Sequence, residues 1–275
     1  MLIHPVDPSY TLIEVGDLDR EPVAPAAAAY EGPLRTVLRW AREYLCAPHP
    51  ELGRPGNVCP YAPGALERGV FYLTVQPGAD PDPAEVTQRL RGYRDWFIEL
   101  SEPSGSARMF HTILMVFPEL PTARAPQIVD ALQIALKGEF VARGLMIGEF
   151  HDGPPPKGGL WNPDFRPLRC PLPMLAIRHM VPTDYLFLED NPEHVTMYLR
   201  LYGDQVPPHL RERVLNRLIH LLLTNADRES TVSAGADAGS AVPSGAEHGS
   251  AVPSGADPGS ALAPGPGRDP FGLAR

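Results

Sequence analysis

The stretch His111-Thr-Ile-Leu-Met-Val-Phe-Pro118 decides the fold class of this chain. It is apolar at almost every position, whereas a strand with one face in water alternates apolar and polar residues. It therefore predicts a strand in the middle of a sheet, buried on both faces. A second run of β-branched and aromatic residues, Val70-Phe-Tyr-Leu-Thr-Val75, precedes it and predicts another strand.

Helical patterns alternate with these strands. Asp82-Pro-Ala-Glu85 has a capping acid, a proline at the first helical position and an acid three residues after the cap, so it predicts a helix start. An amphipathic helix is predicted over 126–143. The alternation predicts an α/β protein, with α+β as the alternative: a single open mixed sheet of about five strands covered by helices. The remaining strands are predicted at 145–150 and 173–181, with an edge strand at 10–15.

Composition divides the chain into three segments. We expect an N-terminal arm at 1–32, which is rich in Pro and Ala, an α/β domain at 33–225 and a low-complexity tail at 226–275. Ten-residue units begin at Gly239 and Gly249 in the tail, each with a single valine. Such units bury too little apolar surface to offset the entropy lost on ordering, so we predict a disordered tail.

Charge and cysteine usage restrict the function classes. The net charge of −9 argues against nucleic-acid or anionic-membrane partners. No apolar run is long enough to cross a bilayer and the N-terminus does not resemble a signal peptide, so we expect a cytoplasmic protein; whether it forms a homodimer is open. Cys46, Cys59 and Cys170 are widely spaced and odd in number, which favours reduced thiols.

The loop between the strands predicted at 145–150 and 173–181 is the candidate site. It has about twenty residues rich in Pro and Gly, and a loop of this length in a compact domain is usually functional when it is ordered. A second dense loop at 48–61 delivers His49, Arg54 and Cys59 to nearby positions.

Three histidines, His111, His151 and His179, fall at strand ends or within strands. A strand end can hold an imidazole at the rim of a sheet, where ligands of open α/β folds usually bind. The alternative is that each is a hydrogen-bonded structural histidine.

A group of arginines stands out in this acidic chain. Arg166, Arg169 and Arg178 suit bidentate binding of a carboxylate or phosphate. The alternative is ion pairing with acids of the same region. Those acids are Glu149, Asp152, Asp164 and Asp184.

Cys46, His49 and Cys59, with Cys170, offer zinc ligands, but their spacing fits no standard zinc pattern. The alternatives are buried unreactive thiols, or Cys59 as a nucleophile whose pKa is lowered by His49 or Arg54. Motifs for nucleotide binding, dinucleotide binding and serine hydrolysis are missing from the sequence.

Segments 49–61, 144–151 and 162–180 resemble an uncharacterised actinobacterial family found near natural-product gene clusters, over roughly residues 33–220. The order of a Cys-Pro loop, strand, helix, apolar strand, long helix and Pro-rich loop is similar to that of bacterial haem-dependent N-oxygenases.

The second resemblance implies a haem-dependent monooxygenase that oxidises a nitrogen of a small amino-acid-like substrate in antibiotic biosynthesis, with an electron donor as partner. His111 is then expected on the iron, because it begins an apolar strand; His179 is a further candidate cofactor ligand, and His151 handles protons. Carboxylates of the substrate or haem propionates are expected on Arg54, Arg166, Arg169 and Arg178. The alternative is a cofactor-free pathway enzyme or binding protein that recognises an acidic small metabolite.

Overall fold

Six strands lie in the part of the chain that the computed structural model describes, residues 1–20, 22–23, 25–158, 160–221 and 223. They are β1 (Leu2–Ile3), β2 (Thr11–Glu14), β3 (Phe71–Val75), β4 (Thr112–Val116), β5 (Leu145–Phe150) and β6 (Met174–His179). They form one open mixed sheet in the order β1-β2-β3-β4-β6-β5. The prediction of an α/β fold with an open mixed sheet is confirmed, with one strand more than the five expected.

Helices connect and cover the strands. The α-helices are α1 (Val15–Leu18), α2 (Pro25–Ala28), α3 (Glu31–Trp40), α4 (Ala62–Glu67), α5 (Pro83–Ser101), α6 (Ala131–Val141) and α7 (Pro192–Tyr202). Residues 211–221 are also helical. A π-helical turn, Pro126–Asp130, leads into α6, and 3-10 segments cover Glu102–Phe110 and Pro182–Phe187. None of the helices in the described ranges has the length and apolar character needed to span a membrane.

The central strand β4 is buried on both faces, as its apolar sequence predicts. It pairs in parallel with β3 and antiparallel with β6. Ile113 and Met115 pack with α5 and α6 in one apolar cluster, while Leu114 and Val116 pack with α3 and α4 in another. A strand between two layers of helices needs apolar residues at successive positions.

The predicted start of α5 is confirmed. Asp82 is the N-cap, its side chain accepts a hydrogen bond from the backbone N–H of Ala84 at 3.0 Å, and Pro83 is the first helical residue. Gly144 lies between α6 and β5. It adopts a φ of 72°, a left-handed conformation that favours glycine and turns the chain from α6 into β5.

The first 14 residues extend the sheet. β2 pairs antiparallel with β3 on one side and with β1 on the other, so β1 is the edge strand and the edge position predicted for residues 10–15 is wrong. The described residues form one compact unit. The predicted disordered tail at 226–275 lies outside the described residues.

Candidate functional site

The three strand-end histidines lie at opposite ends of the sheet. His179 ends β6 opposite Leu145, the first residue of β5, whereas His151 follows the last residue of β5. Six residues of strand, at about 3.3 Å per residue, separate these positions by about 20 Å. His111 immediately precedes β4 and lies beside His179, because Thr112 pairs with Arg178 in the antiparallel register. One binding site therefore cannot use all three imidazoles.

Both ring nitrogens of His151 are engaged. Nδ1 accepts a hydrogen bond from the backbone N–H of Gly153 at 3.2 Å, so the proton of the neutral ring is on Nε2, which lies 3.0 Å from Oδ1 of Asp130. These bonds tie the start of the long loop to the π-helical turn before α6. Proton transfer through His151, as predicted from the sequence, would first have to break one of them.

A buried carboxylate lies at the same end of the sheet. Glu149 points to the α6 face of β5, shared with Leu145 and Ile147, and is 2% exposed. Its Oε1 accepts a hydrogen bond from Nζ of Lys157 in the long loop. Its Oε2 is buried and has no hydrogen-bond partner in the described ranges. An unpaired buried acceptor is rare in folded proteins and indicates a missing donor.

A second amine interacts electrostatically with this carboxylate. Lys137 extends from α6 and its Nζ donates a hydrogen bond to the carbonyl oxygen of Phe187 at 2.7 Å. Burial lowers the pKa of Lys137, and the charge of Lys157 lowers it further, against the opposing effects of Glu149 and Asp190. A titratable group perturbed by burial and by a like charge is a recognised indicator of function.

The amino-acid composition singles out the same pair. The protein has 24 basic residues, of which only Lys137 and Lys157 are lysines. A guanidinium does not lose its proton in proteins, whereas a buried ammonium does. Our sequence reasoning missed Lys137, although the scarcity of lysine was a signal that could have located it. We name Glu149, Lys137 and Lys157 the lysine cluster.

His111 and His179 form a separate pair on the face of the sheet that α5 covers. Nε2 of His179 lies 2.7 Å from Oγ of Ser101, and Ser101 donates its proton to the carbonyl oxygen of Phe97, so the serine accepts from Nε2–H. Burial, with the charges of Arg108 and His111, lowers the pKa of His179 to about 4. Burial also lowers the pKa of His111.

The surroundings of these imidazoles bear on the haem prediction. A haem needs an open ring nitrogen and apolar space for the macrocycle. Nε2 of His111 lies 2.9 Å from Oγ of Ser104, and its Nδ1 is enclosed without a partner among the described residues. The ring of His179 lies 4.9 Å from the ring of Phe97. Both nitrogens of His151 are also in use, whereas Nδ1 of His111 has no partner in the described ranges, so the haem prediction depends on His111.

Two of the predicted binding arginines form ion pairs with acids that the sequence offered as the alternative. Arg178 donates to both carboxylate oxygens of Asp184, at 2.6 and 2.7 Å, and Asp184 is buried. Nε and Nη2 of Arg169 lie 2.9 and 2.8 Å from Oδ1 of Asp152, and both side chains are exposed. The guanidinium groups of both arginines therefore bind carboxylates of the protein itself.

The other two arginines support their own loops. Arg54 donates to the carbonyl oxygens of Pro55, Asn57 and Val58 at 3.1 to 3.3 Å. Arg166 donates to those of Pro163, at 2.8 Å, and Phe165, at 3.2 Å. A ligand would have to compete with these carbonyls.

The two dense loops pack against each other. The ring of His49 stacks on that of Phe165 with 4.7 Å between centroids, and Asn162 donates to Oε1 of Glu51 at 3.1 Å. Gly53 lies so close to Trp161 that a Cβ there would be 2.4 Å from the indole Cγ. The loop predicted to carry the site is therefore braced by 48–61, while its Lys157 reaches back to β5.

Burial raises the pKa of two of the cysteine thiols. Burial raises the pKa of Cys170 to about 12. Burial also raises that of Cys46, with a further contribution from Cys59. In the described part of the chain, no group of three or more His, Cys, Asp or Glu side chains is placed to hold a metal ion.

These features define an α/β protein with a buried charged cluster at the carboxyl end of one strand, under a long loop. Residues 34–213 match the family described as a domain of unknown function, DUF6875, and the chain belongs to that family. The matched segment includes all three members of the lysine cluster. Comparisons with curated proteins and with solved structures gave no match.

Proposed function

We propose that this protein is a cofactor-free pathway enzyme or binding protein that takes a small acidic metabolite at the lysine cluster. Lys137 and Lys157 bind the carboxylate of the ligand, and Glu149 accepts a hydrogen bond from it. The observation that carries this proposal is the unpaired buried oxygen of Glu149 beside the only two lysines of the chain.

The position of the cluster supports the proposal. β5 runs parallel to β3 and β4, because β6 is antiparallel to both β4 and β5. Ligands of open α/β sheets bind outside the carboxyl ends of such strands. Glu149 lies at that end of β5, and the loop that contributes Lys157 begins two residues later.

The charges define the ligand class. The two amines supply the hydrogen-bond donors that a ligand carboxylate needs. The free oxygen of Glu149 requires a donor, and leaving it unpaired costs about 1–3 kcal/mol. A small acid that also carries a hydroxyl or amino group meets both requirements.

Ligand-induced thermal stabilisation tests the proposal. Small amino and hydroxy acids should raise the Tm, and the corresponding amines and alcohols without a carboxylate should not. Glu149→Gln and Lys157→Met should abolish the shift. Arg166→Lys and Arg169→Lys are matched controls, since they change the loop arginines that the sequence favoured. Loss of binding in the arginine variants alone would move the site to those residues.

A haem-dependent N-oxygenase is the competing proposal, supported by the similarity of layout. Protein purified from haem-supplemented cells should then show a Soret band that is lost in His111→Ala and kept in His151→Ala. A colourless parent protein would overturn this reading and leave the metabolite proposal standing.

A further inference from the structure

Building on the proposed function, we infer that Lys137 is a nucleophile that forms an imine with the carbonyl carbon of a small 2-oxo acid. Lys157 holds the carboxylate of that acid and Glu149 transfers the protons. The substrate class is thereby a carbonyl compound with an adjacent carboxylate.

The geometry orients the amine. One N–H of Lys137 is committed to the carbonyl oxygen of Phe187 at 2.7 Å. The neutral amine retains a second N–H and a lone pair, and the lone pair is the nucleophile. The loop approaches the same 3-10 segment, since a Cβ on Gly158 would lie 3.7 Å from the carbonyl oxygen of Leu186. The residue that precedes Gly158, Lys157, donates a hydrogen bond to Oε1 of Glu149.

Charged groups reach Lys137 from each element around it. Lys157 acts from the loop, Glu149 from β5, Asp190 from the turn before α7, and His194 from α7. Burial and the Lys157 charge lower the pKa of Lys137, which increases the fraction of neutral amine at neutral pH. Burial beside a second cation is an established way to activate a lysine toward carbonyls.

The reaction balances without a redox partner. The lone pair of Lys137 attacks the carbonyl carbon, a C–N bond forms, and the electron pair of the C=O π bond moves to the oxygen. The free oxygen of Glu149 accepts one proton from the nitrogen and passes it to that oxygen, which gives a carbinolamine. Glu149 then accepts the second N–H proton and passes it to the hydroxyl, which leaves as water while the C=N bond forms. Amine and carbonyl thus become imine and water.

The scarcity of lysine makes the test sharp. The full chain is incubated with pyruvate and cyanoborohydride, and the reduced adduct is located by peptide mass spectrometry. Only Lys137, Lys157 and the amine of Met1 can react, and that terminal amine lies 2.7 Å from Oε2 of Glu14. The expected product is a single adduct at Lys137, formed faster than in the urea-unfolded chain, because the lowered pKa of Lys137 leaves more of the amine neutral in the folded protein.

Lactate, which has the carboxylate and lacks the carbonyl, separates the two proposals. Thermal shifts by lactate and pyruvate with no adduct at Lys137 would overturn the imine and leave metabolite binding intact. An adduct confined to Lys157 or Met1 would also overturn it. Lys137→Arg should remove the adduct, and mapping on the unchanged protein decides the outcome if that variant does not fold. The absence of both a thermal shift and an adduct would refute both proposals.

Discussion

The guanidinium group of Arg178 donates two hydrogen bonds to the carboxylate of Asp184, at 2.6 and 2.7 Å. The same carboxylate accepts a hydrogen bond from the backbone N–H of Val181 at 2.8 Å. The pair joins the end of β6 to the 3-10 segment Pro182–Phe187, whose last carbonyl binds Lys137. This ion pair therefore supports one wall of the lysine cluster.

Replacing Asp184 with alanine should lower the free energy of unfolding by about 2 to 3 kcal/mol, because a partly buried guanidinium loses its partner. Urea denaturation measures this loss. Asp152→Ala is the matched control, since Asp152 pairs with Arg169 in an exposed position, and its cost should stay below about 1 kcal/mol. If both variants lost the same free energy of unfolding, burial would not distinguish the Arg178–Asp184 pair from the Arg169–Asp152 pair.

The pair between Glu149 and Lys157 should show energetic coupling. Lys157→Met leaves a buried carboxylate without its cation and should destabilise the protein by about 2 kcal/mol. Lys157→Arg keeps the charge and should cost less. Adding Glu149→Gln to Lys157→Met should recover part of the loss, since no buried charge then remains unpaired. Additive effects of the two substitutions in urea denaturation would contradict a direct interaction.

Acid should destabilise the protein through His179. The pKa of this side chain is about 4 in the folded protein, against 6.5 for an ordinary histidine, so between these values the unfolded chain binds more protons. Stability is therefore lost as the pH falls from 6.5 to 4, by at most about 1.4 kcal/mol per pH unit for one proton. His111 acts in the same direction.

His179→Gln, which can still donate to Ser101, should flatten the dependence of the unfolding free energy on pH across this window. His209→Gln is the control, because His209 is exposed, and it should leave the slope unchanged. A slope that is the same in both variants would exclude His179 as the source.

A substitution at Gly53 tests the contact between loop 48–61 and the long loop between β5 and β6. This residue has a φ of 64° and lies against Trp161, whereas Gly69 has a φ of 68° with open space around it. Gly69→Ala should cost about 1 kcal/mol from backbone strain alone. Gly53→Ala should cost more and should speed proteolysis within 151–172, because the added methyl displaces the indole. Equal costs and unchanged proteolysis would show that this contact does not brace the loop.

Elements whose residues interact locally were predictable. The cap at Asp82 acts within one turn, and the continuous apolar run of β4 can be satisfied only by burial on both faces, so both features were confirmed. The alternation of strands and helices then led to the α/β class. The two-residue strand β1 lies below the length at which a sequence pattern is readable, and pairing with β2 creates it.

Partner choice depended on the tertiary structure. Arginine and aspartate side chains near one another in sequence allow several pairings, and the turn after β6 brings Arg178 to Asp184. The register of β6 against β4 places His111 beside His179, and its register against β5 leaves His151 at the other end of the sheet.

The sequence by itself determined the α/β class, the central strand and the loop that carries Lys157, since each follows from local periodicity and composition. Only the tertiary structure assembled the lysine cluster. Lys137 and Glu149 lie on either side of the turn at Gly144, and Lys157 lies eight residues after Glu149. Their proximity results from the packing of α6 on β5 and from the path of the loop, which are non-local interactions that no spacing of residues encodes.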